Sequence, residues 1–241
     1  MSTGGGFVAP GALLTEIPEF SLYGDGTVIY RDPATSYSAS PRPDGIEIRA
    51  PFQSAHLSET QVQAILADAM GPGGLAAAAD NYPPCCVADA PSTIFTLSAG
   101  GLDKVVTVGA LGFNEPQASP DDGSRAAFAA LATRLVAPDV GSAAVSDYQP
   151  TAYRGILMEG QIDPSSSAAQ RPWPWTDLGP ADFSPSGPTG LPVPIRTLTS
   201  DDVAALKIDG LEGGATGIAL KTEDGKVYLL SLRPLLPDEK S

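Results

Sequence analysis

The feature that most restricts this chain is a pair of β-branched and aromatic runs, Ser92-Thr-Ile-Phe-Thr-Leu97 and Val105-Val-Thr-Val108, joined across Gly100-Gly101. Residues of this kind suit a pleated, half-buried surface, and the two glycines supply the positive φ that a tight hairpin turn needs. Two further hairpins follow the same rule. Phe20–Tyr23 and Thr27–Tyr30 flank Gly24-Asp25-Gly26, and Gly217–Lys221 and Val227–Leu232 flank Glu223-Asp224-Gly225. Ile46–Arg49 and Tyr153–Ile162 read as single strands.

Helical periodicity appears in two places. Ser58 with Gln61 forms a capping box ahead of a face made by Val62, Ile65, Leu66, Ala69 and Met70, and Gly71-Pro72 stops it. Residues 124–136 place Phe128, Leu131, Ala132, Leu135 and Val136 on a second face, ahead of Pro138. A short capped helix begins at Thr199, and Ala76–Ala79 adds one further turn. The expected fold is therefore α+β: antiparallel β-hairpins in one or two sheets, with two main helices and one short helix packed against them. Residues 1–6 read as a flexible Gly-rich leader and 7–241 as one compact unit. The alternative is two related halves divided at 137–150. Leu57–Ile65 and Leu198–Leu206 echo each other, as duplicated halves would, and equally as any two capped helices would.

Composition narrows the function classes. The 28 acidic against 14 basic residues give a net charge of −14, with no Lys/Arg cluster of the kind that phosphate backbones require. Nucleic acid and anionic membrane surfaces are thus poor partners. No run approaches the ~20 apolar residues of a membrane span. Met1–Gly6 has neither the basic nor the apolar region of a signal peptide, so a targeting segment is expected to be missing from this chain.

No motif carries a recognisable chemistry. His56 is the one histidine and lacks a Gly-x-Ser-x-Gly companion. The glycines lack the Lys-Ser/Thr of a phosphate loop, so no cofactor is expected, and no spacing suits a metal. The acidic pairs Asp121-Asp122, Asp201-Asp202 and Asp238-Glu239 would matter to a carboxylate-dependent hydrolase only if two of them faced across a cleft. Trp173-Pro-Trp175 lies in a Pro/Ser/Gly-rich segment, 163–194. It reads either as an aromatic platform for sugars or polyproline, or as two indoles that pin the segment to the core; pinning is the plainer reading.

Four blocks resemble a known group of sequences. They are Val87–Leu97, the Gly24-Asp25-Gly26 hairpin, Arg171-Pro-Trp-Pro-Trp175, and Tyr228–Glu239 with its ending Arg-Pro-Leu-Leu-Pro-Asp-Glu. They are similar to an uncharacterised family of secreted or lipid-anchored proteins of actinobacteria and related bacteria, without an assigned activity. The resemblance implies an extracytoplasmic, envelope-associated or lipoprotein-like protein. The chain departs from it in lacking a lipobox cysteine and cysteines near its C-terminal end. The expected function is a non-enzymatic binding module for a protein or cell-wall partner, with Trp173 and Trp175 as the surface. The alternative is a carboxylate-dependent hydrolase of an envelope polymer.

Cys85 and Cys86 are adjacent and are the protein's two cysteines. They are either small apolar residues at a strand entrance or, outside the cytoplasm, a vicinal disulfide. Mass spectrometry of the native extracytoplasmic protein is expected to show a loss of two hydrogens. Two alkylatable thiols would overturn that pairing. The ring is the shortest possible, so replacing both cysteines by serine should barely move Tm.

Overall fold

The computed structural model describes residues 1–6, 14–35, 42–71, 73–84, 89–112, 122–160, 169–185 and 193–239. The protein is α+β, with antiparallel sheets and three α-helices among these residues. The chain divides into two compact units, Met1–Ala9 with Pro18–Pro33 and Gln53–Ser146, and Pro10–Ile17 with Ala34–Phe52 and Asp147–Ser241. Cys85, Cys86, Pro72, Asp121 and Ile162, and the loop 113–121, lie outside the described residues.

In the first unit the Gly100-Gly101 hairpin pairs Ser92–Ala99 with Leu102–Gly109, residue for residue from Ser92↔Gly109 to Ala99↔Leu102. Thr93, Phe95 and Leu97 are buried, whereas Ile94, Thr96 and Ser98 are exposed, as alternation across a one-sided sheet requires. Asn81–Tyr82 lies parallel to the second strand of the hairpin. Ser2–Gly4 pairs antiparallel with Ser92–Ile94. This corrects the expectation of a flexible leader at 1–6. Residues 2–4 find main-chain partners along an open strand edge, and a ladder of this kind depends on backbone groups rather than on side-chain hydrophobicity.

The Phe20–Leu22 and Thr27–Tyr30 hairpin begins a second four-stranded sheet, continued by Gln53–His56 and Ser146–Asp147, where the chain leaves this unit. Helix α1, Glu59–Met70, carries the expected capping box of Ser58 and Gln61. Helix α2, Asp122–Val136, starts two residues ahead of its expected position. Ile65, Ala69, Phe128, Leu131 and Leu135 enter one core with Phe95, Val106 and Val108. Phe128 meets Tyr82 edge-on at 5.1 Å and Phe95 at 5.9 Å. Met70, placed on the buried face by periodicity, is 39% exposed at the helix's last residue, whereas its neighbour Ala69 enters the core. Arg125 in α2 donates to the carbonyls of Gly109, Tyr82 and Pro83, at 2.9, 3.3 and 2.5 Å, and so ties the first turn of the helix to two strand ends.

The second unit is built on one sheet with strands in the order Arg171–Pro172, Ala215–Lys221, Val227–Pro234, Ala152–Glu159, Pro194–Thr199 and Ser184–Pro185. Glu47–Ile48 adds to the start of Ala215–Lys221. The adjacent residues Ile156 and Leu157 point to opposite faces and are both buried, so this sheet is covered on both sides. Gly217, at φ 79°, occupies the β-bulge between Ala215 and Ile218. Helix α3, Ser200–Ala204, is capped by Thr199 and Asp202. Arg233 is 5% exposed and is held by both oxygens of Glu239 at 2.7 and 2.9 Å, while its Nε donates to Glu16 O.

Core and surface positions on the helices separate by energy. Phe128→Ala is expected to cost about 3–5 kcal/mol. Met70→Ala should stay within about 0.5 kcal/mol, as surface changes do. Urea titration of both variants checks this; equal losses would refute the burial assignment.

Candidate functional site

Part of the Pro/Ser/Gly-rich segment meets the sheet edge. Arg171 and Pro172 pair in parallel with Leu220 and Lys221, and the Trp173 N–H donates to Lys221 O at 2.8 Å. Beyond Pro172 the two indoles hold the chain in place. Trp173 Nε1 donates to Leu178 O at 2.6 Å, and Trp175 Nε1 donates to Asp202 O at 2.9 Å. A buried indole N–H needs such an acceptor, because leaving it unbonded costs about 1–3 kcal/mol. Trp173 meets Trp175 at 5.2 Å, Tyr228 at 6.0 Å and Phe183 at 6.4 Å, each edge-to-face.

The two tryptophans therefore differ. Trp175 is 8% exposed and belongs to the core with Leu178, Phe183, Leu198 and Val203. Trp173 is half-buried and forms one wall of an open groove of ≈ 380 Å³, bounded by Gln170–Trp173 on one side and Lys221–Glu223 on the other. The walls are joined by main-chain bonds, so the groove is preorganised.

Its electrostatics centre on Arg171. Asp44 accepts from Arg171 Nη2 at 3.2 Å and lies 3.4 Å from Arg42 Nε. Burial pushes the Asp44 carboxyl up, but the Ile46 N–H, Arg171 and Arg42 together hold it below its ordinary value. Asp44 engages only one nitrogen of the guanidinium, and Arg171 Nε is buried without a hydrogen-bond partner. Lys221 and Glu223 are exposed and form no ion pair among the described residues. Two cations, Arg171 and Lys221, thus line the groove with one carboxylate, Glu223, in a chain with twice as many acids as bases.

The other sequence candidates lie apart from this groove. His56 is exposed on its strand opposite Thr27, with Asp25 in the adjacent turn accepting from the Thr27 N–H at 2.8 Å. Asp202 caps α3, accepting from the Thr199 N–H and hydroxyl, each at 2.8 Å. Glu239 is paired with Arg233. Among the described residues no group of three or more His, Cys, Asp or Glu side chains is placed to hold a metal ion. A smaller groove of ≈ 160 Å³ in the first unit, beside Thr60, Arg134 and Asp139, has its arginine paired with Asp68.

Sequence reasoning missed Arg171, Lys221 and Glu223. Arg171 is in view next to the tryptophans, but its register with Leu220 joins segments far apart in the chain, and no local signal encodes that. The chain matches no known protein family, no curated protein and no solved structure. No helix among the described residues is long and apolar enough to cross a membrane.

Proposed function

We propose that this protein is a non-enzymatic binding module of the cell envelope or extracellular space, which engages a cell-wall or protein ligand through the groove beside Trp173. The observation that carries this reading is the groove's construction. A rigid indole wall stands next to exposed Lys221 and Glu223, which have no ion-pair partner among the described residues. An aromatic wall already held in place suits a binding surface, since less ordering entropy remains to be lost when a ligand arrives.

The extracytoplasmic placement draws its support from the sequence resemblance. A hydrolase acting through carboxylates needs two of them facing across a cleft. This groove carries one, Glu223, and Asp202 and Glu239 serve a helix cap and a buried arginine. The binding reading is therefore favoured.

The test is co-sedimentation with purified cell-wall material. Lys221→Glu is the variant of choice, because Lys221 is exposed, whereas Trp175→Ala would open a core cavity. The native protein is expected to sediment with the wall, and Lys221→Glu, with unchanged Tm, to bind about tenfold more weakly. Equal binding by native protein and variant, or none by either, would remove the groove as the functional surface.

A further inference from the structure

Resting on that reading, we propose that the groove's ligand is a saccharide bearing a carboxylate, its ring against Trp173 and its anionic group against Lys221 and Arg171. Three features of the groove select this class.

The first is the edge itself. Arg171–Pro172 is the outermost strand of its sheet, and both Pro172 in it and Pro174 just beyond it lack an N–H. An extended peptide that added to this edge would find half of its donors missing. Recognition therefore falls to side chains rather than to a main-chain ladder.

The second is the nature of those side chains. The exposed part of a fixed indole offers an apolar surface to the C–H face of a sugar ring. The exposed Gln170 offers both a donor and an acceptor, and Glu223 offers acceptors for hydroxyl protons. A ligand that was anionic throughout, such as a polyphosphate, would be repelled by Glu223; one with many hydroxyls and a single negative group would not.

The third is charge. Lys221 has no carboxylate partner among the described residues, and Arg171 meets Asp44 through one nitrogen only. The local excess of cations in a chain of net charge −14 is complementary to one carboxylate. Arg171 supplies a positive charge at the groove wall, and Lys221 a flexible point charge beside it.

Two kinds of carboxylated sugar are uronic acids and amino sugars carrying a carboxylated ether. Each has an uncharged parent, so two matched pairs serve as probes: glucuronic acid against glucose, and N-acetylmuramic acid against N-acetylglucosamine. Hexaglutamate tests the acidic-peptide alternative. Titrations of 15N-labelled protein followed by amide and indole NMR suit the weak binding expected of an open site.

At least one acid is expected to give saturable shifts at Gln170–Trp173 and Lys221–Glu223, with Kd about tenfold below that of its parent. That preference should shrink in high salt, where exposed charges are screened. It should be lost in Lys221→Glu and in Arg171→Gln; the exposed Lys221 keeps the test valid if loss of the Arg171–Asp44 contact loosens the fold. The acid that binds identifies the source. Binding of each acid no tighter than that of its uncharged parent would overturn the carboxylate claim while leaving a binding groove intact. Tighter binding of hexaglutamate than of either acid would overturn the saccharide claim. Absence of groove shifts with any probe would overturn the inference as a whole, while wall binding that still depends on Lys221 would leave the broader reading standing.

Discussion

Two indole N–H groups hold the segment that forms one wall of the Trp173 groove. Each belongs to a tryptophan that covers apolar surface, and neither can be buried without an acceptor. Leu178 O accepts from Trp173 and Asp202 O from Trp175. These bonds, with Trp173 N–H to Lys221 O, pin a Pro-rich segment against the open edge of its sheet. Everything proposed about the groove depends on that pinning. Released from it, Trp173 would be a mobile side chain, and Lys221 and Arg171 would no longer share a wall.

Several carboxylates in the described regions are used by the fold itself. Carboxylates there recur at structural posts. Asp25 and Asp224 sit in hairpin turns, where hydrogen bonds from Thr27 and Thr222 hold their carboxyls below the ordinary value. Asp202 caps α3, Asp80 pairs with Lys104, and Glu239 neutralises the buried Arg233. Removing Glu239 would leave that guanidinium buried and uncompensated, which is why the segment after the last strand is held so firmly. The Lys221 and Glu223 side chains, like several other exposed charges, have no ion-pair partner among the described residues.

Local signals made much of the fold legible. Asp-Gly and Gly-Gly turns between β-branched runs located all three hairpins, and the Ser58–Gln61 box and the cap at Thr199 located two helix starts, because both signals act within a few residues. What failed was non-local. Ser2–Gly4 joins a sheet through main-chain bonds that no side-chain pattern announces. Residues 10–17 and 34–52 belong with the C-terminal unit, although nothing in their composition says so. The site followed the same division. The tryptophans stood out by type, but their unequal roles come from Asp202 and Leu178, and the cationic partners come from a register between distant strands.

The most direct test of the pinning is hydrogen exchange at the two indole N–H groups, read from 15N-labelled tryptophan in the unliganded protein. With both indoles bonded to carbonyls, both protons should exchange far more slowly than those of free tryptophan, Trp175 more slowly than Trp173 because it lies in the core. A Trp173 indole proton that exchanged at the free rate would contradict the pinned wall, and with it the preorganised groove.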